Sequence, residues 1–189
     1  YNFPQNNNGQ TLHGGLKGLD MVVWDVKEVT ENSIVLYYLR EDGQDGMPGN
    51  LSITMTYTLT PSGELIVDES MKVNKDAKQK PQLFRFGMQW VLPGEYSQIT
   101  YYGKGPHENY IDRKGSQRLG IFSQNVADQY YGYVRPQESG NKADVRYWTL
   151  TNVQGKGLTF QATGNMECST LPYLVSDLDG GPVKYAHQY

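Results

Sequence analysis

Residues 51–60 read Leu-Ser-Ile-Thr-Met-Thr-Tyr-Thr-Leu-Thr, a strict alternation of apolar and hydroxyl side chains. Successive side chains of a β-strand point to opposite faces, so this period of two predicts a strand with one buried and one solvated face. A helix would need apolar residues three and four positions apart over a long stretch, and the chain has no such stretch. The turn residues Pro61, Ser62 and Gly63 follow, so 65–73 is predicted as the hairpin partner.

Further segments alternate in the same way between clusters of glycine, proline, asparagine and aspartate. The predicted strands are 20–29, 33–40, 84–92, 97–103, 129–135, 143–151 and 157–163. Short strands with no helices between them predict an all-β fold, an antiparallel sandwich. The polar run 74–80 is interpreted as a solvated loop in preference to a linker between two small domains. We therefore predict an irregular segment over 1–11 and one domain over 12–189.

Composition excludes several classes of protein. The chain has 17 lysines and arginines and 20 aspartates and glutamates, which gives a net charge of -3. This slightly negative charge argues against general binding to nucleic acid. No apolar run approaches 18 residues, so no transmembrane helix is predicted. The single cysteine, Cys168, excludes an internal disulfide and is interpreted as a small core residue. The three histidines are too far apart to form a metal motif, so no metal or other cofactor is predicted.

Residues 101–148 hold the densest mixture of tyrosine, tryptophan, amide, carboxylate and arginine side chains. Such a mixture suits sugars, because aromatic faces stack on pyranose rings while amides and carboxylates bind hydroxyls. Tyrosine is also common in β-sheets, so the same composition fits an ordinary sheet protein.

Two glutamates in this region offer a specific alternative. Glu108 and Glu138 are a candidate pair for glycoside hydrolysis, which needs two carboxyls about 5–10 Å apart. Ion pairs with Arg113 and Arg146 are the favoured interpretation. If Arg146 is buried, it should meet a carboxylate such as that of Glu138 or Asp144 and pin a loop to the sheet; if not, it lines a cleft.

Three ordered blocks carry a family resemblance. They read Gly-Pro-His-Glu-Asn-Tyr-Ile-Asp-Arg at 105–113, Tyr-Val-Arg-Pro-Gln-Glu-Ser-Gly-Asn at 133–141 and Asp-Val-Arg-Tyr-Trp at 144–148. Together they resemble the C-terminal small-chain domain of glycoside hydrolase family 2 β-galactosidases, most strongly over 84–151. The resemblance implies an antiparallel β-supersandwich like that of galactose mutarotase. It also implies a parent enzyme that hydrolyses terminal β-D-galactosides with retention, with its catalytic glutamates on a TIM barrel that this sequence does not supply.

The resemblance further implies a non-catalytic domain that helps to wall the active site and is inactive alone. Its aromatic substrate contact would lie in a segment after Tyr189, so the domain is expected to be truncated there. The expected partners are a galactoside and the remaining domains of the parent, which family members often assemble into homo-oligomers. Any divalent cation would be bound elsewhere in the parent. The candidate carbohydrate-binding or site-shaping residues are His107, Glu108, Asn109, Tyr110, Asp112, Arg113, Tyr131, Tyr133, Glu138, Arg146 and Trp148.

Two other functions stay open at this point. A stand-alone carbohydrate-binding module would use Tyr130, Tyr131, Tyr133 and Trp148 as an aromatic platform. An aldose 1-epimerase-like enzyme would need a histidine–glutamate pair to move a ring proton, for which His107 and Glu108 are the test residues. The compartment, cytoplasm or periplasm, stays open as well.

Overall fold

A computed structural model describes residues 22–40, 51–73, 86–133 and 138–178. Among these residues the fold is all-β, as predicted, with two short helical turns. The strands are β1 (Val22–Val29), β2 (Ser33–Arg40), β3 (Leu51–Leu59), β4 (Leu65–Val73), β5 (Gln98–Gly105), β6 (Arg118–Asn125), β7 (Lys142–Thr151) and β8 (Gly157–Cys168). A 3₁₀ helix spans Val126–Gln129, and one turn of α-helix, α1, spans Val175–Leu178.

The first sheet is an antiparallel meander in the order β1-β2-β3-β4. The predicted hairpin of β3 and β4 forms without a register shift, with Leu59 opposite Leu65. Its turn closes through a hydrogen bond from the Glu64 amide to Thr60 Oγ1 at 3.0 Å, and Gly63 takes a φ of 88°. The pairing places the apolar residues of β3 on the same face as the less exposed residues of β4, with Tyr57 opposite Val67.

The second sheet has the order β6-β5-β7-β8, also antiparallel. Strands β5 and β7 lie in its middle and contribute the buried core. Its members are Ile99, Tyr101, Val145, Trp148 and Leu150. Cys168 packs against this cluster, which confirms its prediction as a core residue. Burial raises the pKa of its thiol to about 12, with a smaller contribution from Glu167.

Two predicted strands are wrong. Residues 86–92 are irregular, and no described strand pairs with them. Their alternating apolar residues would share one face of a strand, but a strand also needs a neighbouring strand to accept and donate its backbone hydrogen bonds. In 129–133 the chain leaves the 3₁₀ helix and runs irregularly, because the Tyr131 amide donates to Ser139 Oγ at 2.6 Å instead of to a ladder. The remainders of both segments, 84–85 and 134–135, lie outside the described residues.

One strand, β6, was not predicted. It places Gly120, Phe122 and Gln124 on its less exposed face, while Leu119 and Ile121 are exposed. The less exposed face of β6 thus carries one apolar side chain between a glycine and a glutamine, while the exposed face carries leucine and isoleucine. Apolar residues are therefore not confined to one face, and the pattern that predicts a half-buried strand is absent.

The chain divides into two compact units, Asn2–Gln89 and Trp90–Tyr189, each holding one sheet. The union of both sheets in one supersandwich domain over 12–189 stays a prediction. The polar run 74–80 and the segment 1–11 lie outside the described residues. No helix among the described residues is long and apolar enough to cross a membrane.

Candidate functional site

The candidate residues come from two segments that the second sheet brings together. One is the connection from β5 to β6, and the other leads from the 3₁₀ helix into β7. Antiparallel pairing of β5 with β7, with Tyr101 opposite Trp148, places the end of β5 beside the start of β7. The motif block at 105–113 and the described residues of the block at 133–141 therefore meet at one end of this sheet.

Glu108 is the centre of this meeting point. Its side chain is 8% exposed, and Oε1 accepts from Arg113 Nη2 at 3.0 Å and from the hydroxyl of Tyr133. Oε2 accepts from the amide of Gly140 at 2.5 Å. The predicted Glu108–Arg113 ion pair is confirmed. With three donors, from both segments, the carboxylate holds the two segments together.

Arg113 connects this carboxylate to an exposed aromatic surface. Its side chain is 46% exposed, and its guanidinium lies 4.5 Å from the ring centroid of Tyr110 and 5.6 Å from that of Tyr133. The Tyr133 ring also lies 4.7 Å from that of Tyr131, which is 58% exposed. A cation over aromatic rings is held in place by the ring quadrupole, so the guanidinium and the rings form one ordered patch.

Asn109 is fully buried beneath Glu108 and uses every side-chain hydrogen-bonding group. Its Nδ2 donates to the carbonyls of Lys104 at 3.0 Å and His107 at 2.9 Å, and its Oδ1 accepts from the amide of Ala143 at 3.0 Å. Its backbone amide donates to the carbonyl of Asn141 at 2.8 Å. This asparagine therefore fixes the path of the 105–110 turn against the first residues of β7.

Asn141 completes the same connection from the other side. It is buried, and its Nδ2 donates to the carbonyl of Asn109 at 2.8 Å and to Glu167 Oε2 at 2.8 Å. The two asparagines thus bond each other reciprocally and extend the network to β8. Buried amides satisfied on all sides specify a single arrangement of the segments they join.

Lys142 is a buried cation that sequence reasoning missed. It is 2% exposed, and its Nζ donates to Gln129 Oε1 at 2.9 Å and to the carbonyl of Gly140 at 3.4 Å. Burial lowers the pKa of this ammonium to about 8, while the charge of Glu108 acts in the opposite direction. No periodicity distinguishes this lysine, because it is the first residue of its strand and follows a polar asparagine.

A carboxylate such as that of Glu138 or Asp144 was expected to meet Arg146 if the arginine was buried, but Arg146 is only partly buried and contacts the backbone of Asp144. Its guanidinium donates to the backbone carbonyl of Asp144 and lies 5.5 Å from the ring centroid of Tyr102. The carboxylate of Asp144 instead pairs with Lys114, at 2.8 Å between Oδ1 and Nζ. Asp144 has a φ of 54° at the register shift of β7, so its backbone turns the carboxylate toward the 105–117 connection. The loop is pinned to the sheet by Lys114 in place of Arg146.

Trp148 also needs correction as a platform residue. It is buried, its ring stacks on Tyr101 at 4.9 Å between centroids, and Nε1 donates to Thr170 Oγ1 at 2.9 Å. Because Trp148 is only 2% exposed, it cannot form an exposed platform with Tyr130 and Tyr131. It belongs to the buried core of the sheet that carries the site.

Comparison with known proteins then decides the family. The model of the family described as β-galactosidase small chain matches residues 6–189. The chain belongs to this family. It is 33% identical over 171 residues to the β-galactosidase of Priestia megaterium, an alignment that covers 90% of this chain and 14% of that relative. It is 35% identical over 130 residues to the β-galactosidase of Halalkalibacterium halodurans, covering 68% of this chain and 13% of that relative.

A third similar protein is the β-galactosidase of Lactobacillus delbrueckii subsp. bulgaricus. It is 35% identical over 128 residues, covering 67% of this chain and 12% of the relative. This small-chain sequence thus spans only 12–14% of the length of these relatives. The resemblance read from the three motif blocks is confirmed.

The structure brings together only some of the residues proposed for the small-chain site. Glu108, Asn109, Tyr110, Arg113, Tyr131 and Tyr133 gather around one network, whereas Arg146 and Trp148 belong to the sheet beside it. His107 and Asp112 are exposed, and Glu138 is half-buried. In the part of the chain that the structure describes, no three histidine, cysteine, aspartate or glutamate residues are grouped to hold a metal ion.

Proposed function

We propose that this chain is the non-catalytic small-chain part of a larger β-galactosidase. In that enzyme it would shape the wall of the galactoside site and contact carbohydrate. The single observation that carries the proposal is that the carboxylate of Glu108 is hydrogen-bonded within the protein. Both carboxylate oxygens already accept hydrogen bonds, from Arg113, Tyr133 and Gly140, as expected of a structural anchor and not of a general acid or base.

The chemistry of the exposed patch supports the carbohydrate contact. Tyr131 offers an open ring face for stacking on the C–H face of a pyranose. Arg113 offers N–H donors for hydroxyls beside it, since half of its side chain reaches solvent. The catalytic carboxylates, and any divalent cation, would then lie in the rest of the parent polypeptide. That polypeptide and its galactoside are the partners we propose, with assembly into a homo-oligomer as a further expectation.

The test uses the parent polypeptide that contains this chain, assayed with a chromogenic galactoside. Tyr131→Ala should raise KM about 3- to 10-fold, which corresponds to about 0.7–1.4 kcal/mol of lost stacking. The control is Val153→Ala, which truncates an exposed side chain in the turn between β7 and β8 and should leave KM unchanged. An unchanged KM for Tyr131→Ala would exclude the proposed contact.

The 189-residue chain itself gives the second arm of the test. It should show no turnover of the chromogenic galactoside, because the catalytic carboxylates are proposed to lie elsewhere. Turnover that is lost in Glu108→Gln would contradict the proposal directly.

A stand-alone carbohydrate-binding module is the second candidate, and the exposed ring of Tyr131 beside that of Tyr133 favours it. Calorimetry with galactose and lactose separates the two. If the isolated chain binds galactose or lactose, it carries a complete sugar-binding surface, which supports the binding module. If the sugars bind only to the parent polypeptide, the domain forms part of a site that needs the other domains. The epimerase alternative has less support, because the carboxylate of its His107–Glu108 pair is already engaged.

A further inference from the structure

Lys142 has an unusual environment for a lysine. Its ammonium is buried, yet the two oxygens it bonds, Gln129 Oε1 and the Gly140 carbonyl, are both neutral. Neither ion pair between described residues includes it. A buried charge without a bonded counter-charge is costly, so a lysine at this position calls for a role that a neutral side chain would not fill.

Gly140 lies between this cation and the carboxylate of the site. Its carbonyl accepts from Lys142 Nζ at 3.4 Å, and its amide donates to Glu108 Oε2 at 2.5 Å. Its φ of 76° is the left-handed conformation that glycine adopts readily, and a Cβ here would lie 2.8 Å from the carbonyl oxygen of Gln129. The turn is therefore held by Lys142 and Gln129 on one side and by Glu108 on the other.

We propose that Lys142 is a positioning residue for the Glu108 network. By bonding both Gln129 and Gly140, its ammonium fixes the turn so that the Gly140 amide meets Glu108 Oε2. Its positive charge stabilises the carboxylate from the buried side, as Arg113 does from the exposed side. The inference deepens the proposed function, on which it rests for the claim that this network shapes a sugar site.

The titration of Lys142 supports this role and gives it a signature. Because burial lowers its pKa to about 8, the charge is present at neutral pH and is lost over a range where ordinary lysines stay charged. The charged and titratable groups nearest to it are Glu108 with its partners Arg113 and Tyr133, and Glu167 and Cys168 from β8, while Glu138 lies four positions before it in the chain. Burial raises the pKa of Cys168 to about 12, so its thiol stays protonated through this range.

The test is an NMR titration of the 189-residue chain without sugar, read at the Gly140 amide. In the wild type the Gly140 amide shift should titrate with a midpoint near pH 8 as the ammonium loses its proton. The Gly120 amide, on β6, should show no step there. A wild-type Gly140 amide that does not titrate near pH 8 would overturn the proposal, and this reading needs no variant to fold.

Lys142→Met is the matching substitution, with Lys156→Met in the exposed β7–β8 turn as its control. Lys142→Met should abolish the step near pH 8 and speed hydrogen exchange at the Gly140 amide about tenfold, while the control keeps both as in the wild type. Unchanged exchange at Gly140 in Lys142→Met would also overturn the proposal. Galactose is added last: absence of any galactose-dependent shift, in the chain and in the parent polypeptide, would count against the sugar site and not against the role of Lys142.

Discussion

Replacing Asn109 by alanine tests how much the buried network contributes to stability. The substitution leaves the carbonyls of Lys104 and His107 and the amide of Ala143 without their side-chain partner, at a site that is fully buried. Each unsatisfied buried group costs about 1–3 kcal/mol, and partial relaxation or entry of water favours the lower end of that range. We therefore expect the free energy of unfolding to fall by about 3–5 kcal/mol.

The assay is equilibrium unfolding in guanidinium chloride, followed by tryptophan fluorescence and by circular dichroism. Asn165→Ala is the matched control, because Asn165 is an exposed asparagine on β8 and should change stability by less than about 0.5 kcal/mol. A loss below about 1 kcal/mol for Asn109→Ala would refute the reasoning. It would mean that the three bonds are replaced by water at little cost.

Three further predictions concern the second sheet. A Cβ on Gly157 would lie 1.8 Å from the carbonyl oxygen of Leu150, so Gly157→Ala should lower stability by about 1–3 kcal/mol, whereas Gly164→Ala on the same strand meets nothing and should not. Arg146→Ala should cost only about 1 kcal/mol in thermal or denaturant unfolding, since the residue is only partly buried and its guanidinium bonds a neutral carbonyl; a loss above about 3 kcal/mol would indicate a buried ion pair. Cys168 should react with a thiol reagent at pH 8 about 1,000-fold more slowly in the folded chain than in guanidinium chloride, because burial raises its pKa from 9.0 to about 12; equal rates would contradict the burial.

Much of the fold follows from local pattern. The hairpin of β3 and β4 was predictable because alternation and turn chemistry agree over the same residues. The second sheet shows where pattern fails. Phe86, Met88 and Trp90 alternate as well as any strand, yet whether a segment joins a sheet depends on a partner that the local pattern does not encode. Strand β6 forms despite its mixed pattern, because β5 offers it a register with Tyr102 opposite Ile121.

In the candidate site, too, some residues were predictable from the local sequence and others were not. The Glu108–Arg113 pair was predictable, since opposite charges five residues apart in a turn-rich segment have few other partners. Asn141, Gln129 and Lys142 carry no such sign, because a polar residue at the start of a strand or in a short helical turn normally points to solvent. Only the pairing of β5 with β7 shows that these residues are covered. The motif blocks marked the right segments but not which of their side chains are buried.

The hydrogen bonds of the network also have a consequence for the order of folding. They join residues far apart in the chain: Asn109 to Ala143 across 34 positions, Glu108 to Gly140 across 32, and Tyr133 to Glu108 across 25. Closing such loops costs chain entropy before any bond forms, and the pairing of β5 with β7 closes longer loops still, with Tyr102 opposite Tyr147 and Gln98 opposite Thr151. The end of β5 and the start of β7 reach one another only through this pairing, so the network and the pairing should form together. The patch of Arg113, Tyr131 and Tyr133 would then be absent from chains in which this pairing has not formed. It should appear together with the centre of the second sheet and be lost with it, because its buried anchors, Asn109 and Asn141, separate only when β5 and β7 separate.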